Sequence, residues 1–110
     1  MTLMRSKEEV NIMATFIMLS KFSLRNVGEI KSLADIDEAL DRRIREECPR
    51  VKRLASYALL GEYDFLNIFD APDATAAAKV ALIIQSLGMG STQTLTGIPF
   101  QEFRNLVEEI

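Results

Sequence analysis

The chain has 110 residues with 13 basic and 16 acidic side chains, a formal net charge of -3, one Cys, and neither His nor Trp. That length suits one domain with one core, and 48% apolar with 26% charged residues is typical of a globular chain. The acidic balance argues against a nucleic-acid-binding protein, and the absence of His excludes Ser-His-Asp catalysis, Cys-His catalysis and His-ligated metal or haem sites.

The lone cysteine and the first residues bear on location. Cys48 has no second Cys to pair with, which favours a reducing compartment. Residues 1–12 lack the apolar stretch of a signal peptide, and the run Ala14–Leu19 is far shorter than the roughly 20 residues that span a bilayer. The sequence therefore predicts a cytoplasmic protein without membrane or nucleic-acid partners, cofactor or metal. Residues 1–12 are expected to be an N-terminal extension and 13–110 a single domain.

A strand and an amphipathic helix come first. Residues Ala14–Phe22 are apolar at both alternate sets of positions, which predicts a strand covered on both faces. From Ser23, a good N-cap residue, apolar side chains recur at three- and four-residue steps and predict a helix that ends before Pro49. Its apolar positions are Val27, Ile30, Leu33, Ile36, Leu40 and Ile44.

A hairpin and a second helix follow. Residues Val51–Leu60 and Tyr63–Ala71 read as two strands, and Gly61 with Glu62 between them predicts a tight type II′ turn. Asp73 is the expected N-cap of the next helix, and Gly88 its left-handed C-terminal residue. The apolar positions of this helix are Ala77, Val80, Ala81, Ile84 and Leu87.

The last segments complete the fold class. The Thr-rich stretch Ser91–Gly97 predicts a fourth strand, and Pro99 begins a short final helix. The order of elements is that of the α+β, ferredoxin-like βαββαβ fold. Right-handed crossovers then put the first and third strands in the centre of a four-stranded antiparallel sheet, with both crossover helices on one face. The apolar side of the final helix is Phe100, Phe103, Leu106 and Val107.

The helix-free face of this sheet predicts a partner. We expect it to carry Phe16, Met18, Phe22, Tyr63, Phe65 and Phe69, and the helices to cover Ile17, Leu19, Leu66 and Ile68. An aromatic patch of this size is normally an interface or the floor of a ligand site. The simplest solution is a homodimer with two sheets face to face, a dimeric α/β barrel. The alternative is that the final helix folds back over the patch.

The hairpin and its surroundings resemble a known family. The stretches LGEYDF (Leu60–Phe65) and DAPDATAAAKVAL (Asp70–Leu82), with ATFIMLSKF before them and TQTLTGIPFQEF after, look like the GYD domain family. The family is named for a Gly-x-Tyr-Asp stretch, here Gly61, Tyr63 and Asp64. The resemblance covers residues 13 to 107 and implies a ferredoxin-like fold of the dimeric α/β-barrel group. It implies no particular reaction.

Polar residues inside the aromatic patch are the candidate ligand site. Polar groups in an apolar floor need partners from the protein, water or a ligand. The space between two sheets would therefore suit a small, mostly apolar molecule with one or two polar atoms. The candidate ligand-binding residues are Ser20, Tyr63, Asn67, Phe16, Met18, Phe65 and Phe69. The alternative is that these polar groups satisfy one another across the dimer.

One charged pair and two further functions complete the expectations. Lys21 and Asp64 come to the same edge of the sheet, which predicts a structural ion pair on the helix side. The alternative is that Asp64 is a general base or that Lys21 contacts an anion. The leading function is a dimer that binds a small apolar molecule. The alternatives are a cofactor-free monooxygenase or isomerase, by analogy of fold, and a purely structural dimerisation module.

Overall fold

A computed structural model of the chain describes residues 12–22, 30–88 and 90–110. Four strands and three helices alternate along it much as predicted. The strands are β1 (Ala14–Lys21), β2 (Lys52–Ala58), β3 (Phe65–Ala71) and β4 (Ser91–Gly97). The helices are α1 (Leu33–Glu47), α2 (Ala74–Ser86) and α3 (Phe100–Glu109). The predicted helix start at Ser23 and the extension up to residue 11 lie outside the described residues.

The sheet has the order β2-β3-β1-β4, and every neighbouring pair is antiparallel. This confirms that β1 and β3 are central and that the chain is an α+β protein with a four-stranded antiparallel sheet. The register places Ile17 between Ile68 of β3 and Leu95 of β4. Because side chains alternate along a strand, this register also decides which residues share a face.

Two local predictions about α2 are confirmed. The carboxylate of Asp73 accepts a hydrogen bond of 2.8 Å from the backbone N–H of Ala76, as an N-cap does. Beyond the helix, Gly88 has a φ of 99°, a conformation that side-chain-bearing residues rarely adopt. These two residues fix where α2 begins and ends, and so how it lies on the sheet.

The predicted tight turn is wrong. A type II′ turn needs a positive φ at Gly61, and this glycine does not have one. The strands stop at Ala58 and restart at Phe65, with a longer loop between them that is closed by a 2.8 Å bond from Leu59 N–H to the carbonyl oxygen of Asp64. The loop is tied to β1 as well, since the N–H of Asp64 donates to the Ser20 carbonyl at 2.9 Å.

The predicted assignment of the two sheet faces is also wrong. Phe16, Met18 and Phe69 are 6%, 0% and 0% exposed and lie beneath the crossover helices, in one core with Leu40 of α1 and Val80 of α2. These three residues share one parity, as predicted, but belong to the covered face, whereas Tyr63 contacts Lys21 and Gln93 on the other side of the sheet. The helix-free face instead carries the set that was assigned to the helices, Ile17, Leu19, Leu66 and Ile68.

Complementary side-chain size explains this orientation. The face that α2 turns to the sheet includes Ala77, which is buried, and Ala81, which packs against the core. Small residues on the helix leave space that large residues on the sheet can fill at interior packing density. Phe69 is fully buried under the helices and Phe16 lies beside Ala77 and Ala81, whereas branched aliphatic side chains are left for the opposite face.

The helix-free face and α3 are not covered by other described elements. On this face the edge-strand residues Tyr57 and Leu95 are 59% and 41% exposed, and Ile17, Leu19, Leu66 and Ile68 in the centre are partly buried. Within the described residues, α3 buries none of its side chains, and Phe103 and Leu106 are about half exposed at 48% and 50%. The predicted alternative, in which this helix folds back over the sheet, is therefore not what the single chain adopts.

Candidate binding site

A cavity of about 290 Å³ lies between α1 and the sheet. Its walls are mostly apolar. They come from both crossover helices and from the sheet strands below, and include Leu33, Ile36, Leu40, Phe65 and Ile84. Leu40 and Ile84 are buried core residues, so the cavity opens directly from the packed interior. A concave, largely apolar space with a few polar groups is the usual form of a small-molecule site.

The floor of the cavity is polar at Asn67. The Oδ1 of this buried amide accepts a 2.6 Å bond from the Ser56 hydroxyl and bonds of 3.1 and 2.8 Å from Nε and Nη2 of Arg53. All three bonds use Oδ1. The Nδ2 group, with two hydrogens to donate, takes no part in them.

A β-bulge brings Arg53 to this floor. In a regular strand, Arg53 and Ser56 would point to opposite faces because they are three residues apart. The register of β2 against β3 shifts between Arg53 and Ala55, so that Arg53 lies opposite Phe69 and Ser56 opposite Asn67. Both partners are on the covered face. The bulge therefore re-aims one side chain, as bulges beside functional sites often do.

Two acidic residues of α1 hold the outer end of Arg53. Its Nη2 lies 2.7 Å from Asp37 Oδ1, and its Nη1 lies 2.8 Å from Asp41 Oδ1. Burial by itself would lower the pKa of the Arg53 guanidinium, but the hydrogen bonds that it donates to Asp37 and Asp41 outweigh burial and raise the pKa. Arg53 is therefore a fixed cation that ties α1 to β2, with two carboxylates around one positive charge.

The hydroxyl of Ser20 is the unusual group of the site. Ser20 is 1% exposed and lines the cavity, and its Oγ has no hydrogen-bond partner. A buried polar group without a partner costs free energy relative to the same group in water. Together with Nδ2 of Asn67, this hydroxyl offers the cavity hydrogen-bonding capacity that the protein itself does not use.

The predicted charged pair forms with different partners. Lys21 Nζ lies 3.7 Å from Glu62 Oε1 and 5.3 Å from the centre of the Tyr63 ring. The carboxylate of Asp64 accepts a 2.8 Å bond from the backbone N–H of Phe22. Lys21 lies on the helix-free parity, since Ser20 faces the helices. Lys21 and Asp64 thus both hold the hairpin loop against β1, but not by pairing with each other.

The seven predicted ligand residues separate into three groups. Ser20, Phe65 and Asn67 line the cavity beneath α1. Met18 and Phe69 are core residues, and Phe16 forms the base of a wider groove of about 460 Å³ between α2 and β4. Tyr63 lies at the hairpin end, where its hydroxyl donates a 2.6 Å bond to Gln93 Oε1. None of the buried members faces the space between two sheets where the sequence placed the ligand.

Sequence reasoning missed Arg53, Ser56, Asp37 and Asp41 as parts of a site. Arg53 is one of five arginines between residues 42 and 53, a stretch that also contains acidic residues, and the bulge that turns it inward has no clear sequence signature. One signal was available, because Asp37 and Asp41 are four residues apart and share one face of α1. Across residues 12–22, 30–88 and 90–110, no three acidic or cysteine side chains converge to hold a metal ion.

The fold and site define a small α+β domain of the ferredoxin-like class, with a pocket between its helix layer and its sheet. The sequence matches the GYD domain family over residues 16–107, and the chain belongs to that family. A protein of Thermus thermophilus named glutamine synthetase and cystathionine beta-lyase binding protein is 35% identical over 94 residues. The match covers 79% of this chain and 90% of that protein.

Two solved structures share the fold. A transcriptional regulator of the AsnC family from Agrobacterium tumefaciens superposes with a TM-score of 0.61 at 15% identity, and MtbAldR with a TM-score of 0.56 at 14% identity. The match covers 84% of this chain but only 54% and 57% of those two chains. At this identity the likeness is one of fold alone. Within the described residues, no helix is both long and apolar enough to cross a membrane.

Proposed function

We propose that this chain is a protein-binding domain that forms a homodimer, a dimeric α/β barrel, through the helix-free face of its sheet. The dimer would bind an enzyme of the kind named for its Thermus relative, glutamine synthetase or cystathionine beta-lyase. The proposal includes a cytoplasmic location, since the single cysteine is free and needs no oxidising compartment.

The arrangement of the helix-free face carries the proposal. Two adjacent rows of side chains cross all four strands, and seven of their eight members are apolar. The rows are Leu95, Ile17, Ile68 and Ala55, then Gln93, Leu19, Leu66 and Tyr57. The next row outward is polar, with Thr15 donating a 3.0 Å bond to Asp70 and Lys52 opposite Asp70. An apolar centre with a polar rim is the common anatomy of protein interfaces.

A second copy is the occupant that best fits this face. A twofold axis through its centre would bring the two rows of one chain onto the same rows of the other, as in an isologous interface. Two sheets that pack face to face lie about 10 Å apart and bury such apolar side chains between them. The same space no longer suits the predicted small ligand, because Ser20 and Asn67, two of the polar residues that were to hold it, are buried on the covered face.

The terminal helix offers a surface for the enzyme. The side chains of Phe100, Phe103, Leu106 and Val107 are all exposed, and α3 stands apart from the core. An amphipathic helix that presents such a stripe can dock into an apolar groove of a partner protein. The named partners of the Thermus protein favour this use of α3 over a purely structural one.

The test of the dimer uses one apolar-to-acid change on each side of the molecule. Ile68→Glu puts a charge into the centre of the helix-free face, and we expect the dimer dissociation constant to rise at least 100-fold, about 2.7 kcal/mol. Leu82→Glu is the matched control, because Leu82 is 65% exposed on α2. Sedimentation equilibrium should give twice the 12.4 kDa chain mass for the wild type and for the control. A wild-type monomer at high micromolar concentration would refute the dimer.

The enzyme contact is tested with purified glutamine synthetase and cystathionine beta-lyase against the immobilised chain. We expect at least one of them to bind, and Phe103→Asp to weaken that binding at least tenfold without changing the dimer. Glu102→Gln, one residue away on α3, should bind like the wild type. If neither enzyme binds, the protein-binding function is wrong. If Phe103→Asp abolishes the dimer, α3 belongs to the subunit interface instead.

A further inference from the structure

We infer that the cavity beneath α1 is a binding site for a small neutral molecule with an apolar body and one carbonyl-type oxygen. The inference does not depend on the proposed dimer. The cavity is on the covered side of the sheet, whereas the proposed interface is on the other side. Failure of one proposal therefore leaves the other standing.

The unpaired hydroxyl of Ser20 points to a ligand. Ser20 is 1% exposed and lines the cavity, and its Oγ has no hydrogen-bond partner. An alanine at this position would remove the unsatisfied group and keep the packing, so the hydroxyl costs stability when the cavity holds no ligand. A ligand atom that pairs with this hydroxyl removes that cost, which is the pattern of a group kept for binding.

The polar floor sets the polarity of the ligand. Oδ1 of Asn67 already accepts three bonds, from Ser56 and from two nitrogens of Arg53. Its Nδ2 and the Ser20 hydroxyl are then two buried groups that can still donate a hydrogen bond to a ligand. Two donors from adjacent strands suit one oxygen acceptor, such as the carbonyl of an amide or ketone.

The charges at the mouth favour a neutral ligand. Arg53 is bonded to both Asp37 and Asp41, so among the described residues of this network two carboxylates surround one cation. A carboxylate ligand would meet this negative excess close to an apolar wall and would lose its hydration. A neutral molecule avoids both costs.

The size of the cavity limits the ligand to a small body. A volume of about 290 Å³ is at the lower end of small-molecule sites. Leu40, Phe65 and Ile84 supply flat and branched apolar walls for a single ring or a short aliphatic chain. The inference is thus specific in three respects: volume, one acceptor and no charge.

Three probes of similar shape test these points by titration into the ¹⁵N-labelled protein. Benzamide has a ring and a neutral carbonyl, benzoate replaces the carbonyl group with a charge, and ethylbenzene has no acceptor. We expect benzamide to shift the amide resonances of Ser20, Leu40 and Asn67 with a dissociation constant at least fivefold below that of either other probe. Benzoate binding as tightly as benzamide would overturn the inference, and so would the absence of saturable shifts at millimolar benzamide.

Variants separate a ligand site from a structural cavity. Ser20→Ala should raise the melting temperature by about 4 °C and weaken benzamide about fivefold, because it removes both the unpaired hydroxyl and a ligand contact. Ser91→Ala, an exposed serine on β4, should change neither value. Ala34→Trp places bulk at the exposed edge of the cavity and should abolish the shifts while the fold is kept. Unchanged benzamide affinity in Ser20→Ala would refute the role of the hydroxyl.

Discussion

The two faces of the central sheet are both apolar, yet they are built from different side chains. The covered face uses Phe16, Met18 and Phe69, with Asn67 and Ser20 at one end. The helix-free face uses Ile17, Leu19, Leu66 and Ile68 in two rows with a polar rim. Large flexible or planar side chains fill the irregular space under helices, whereas branched aliphatic side chains make a flatter surface.

This contrast gives the faces different tasks. The covered face supplies the fold with its core and leaves a polar-floored cavity under α1. The helix-free face contributes little to the core of one chain and is available for a second chain. Apolar content alone does not distinguish the core from the proposed interface here, but side-chain size and the position of the polar groups do.

The largest expected effect is a difference in the free energy of unfolding between substitutions at two neighbouring positions of β3, one on each face. Phe69→Ala removes a side chain that is 0% exposed and should lower the free energy of unfolding by about 4 kcal/mol. Ile68→Ala, next to it but on the helix-free face, should cost about 1 kcal/mol in dilute solution. Urea denaturation monitored by circular dichroism measures both. An equal or reversed order would mean that the faces are exchanged.

The sequence was sufficient for the order of elements and insufficient for the side of the sheet. Asp73, Gly88 and the apolar periods locate the helices, and the alternation along β1 and β3 groups residues by face. Both parities of β1 are apolar, however, so the pattern is the same whichever way the sheet is turned. The alanines of α2 carried the missing information, because small helix residues need large partners on the sheet.

The second expected effect concerns the tie between α1 and the covered face. Arg53→Met keeps most of the apolar stem but leaves Asn67, Asp37 and Asp41 without their common donor. We expect a loss of about 2 kcal/mol, below the cost of breaking a fully buried pair because both aspartates are about half exposed. Arg50→Met, at an exposed position, is the matched control and should cost less than 0.5 kcal/mol. A loss no larger than that of the control would show that the Arg53 network does not contribute to stability.

The cavity itself was beyond the reach of sequence patterns. Three of its residues, Ser20, Phe65 and Asn67, were singled out because polar groups among rings need partners, and that reasoning still applies to them. The cation was missed because a bulge at Leu54 decides the direction of Arg53, and bulges depend on pairing with another strand. The position of Arg53 in the site therefore depends on the long-range register of the strands rather than on local propensity.

The prediction with the smallest effect on stability compares the reactivity of two thiols, one in the covered core and one on the helix-free face. Cys48 is 6% exposed in the covered core, and burial raises the pKa of its thiol, so both access and thiolate fraction are low. We expect iodoacetamide at pH 8 to modify Cys48 at least 100-fold more slowly than Ile68→Cys in a Cys48→Ala background. Mass spectrometry of timed samples gives both rates. Rapid modification of Cys48 in the folded chain would contradict its place in the core.

The wild type and the Ile68→Cys variant allow two further measurements, the pH dependence of stability and the effect of protein concentration on thiol reactivity. Because the folded state keeps the Cys48 proton longer than the unfolded chain, its contribution to stability is complete below the unfolded thiol pKa of about 8.5. It is lost as pH rises through the higher folded value, and Cys48→Ala should remove that part of the pH slope. The thiol of Ile68→Cys should instead become slower to modify as protein concentration rises, since the proposed second chain would cover it. A rate independent of concentration would leave the helix-free face without the partner that its two apolar rows require.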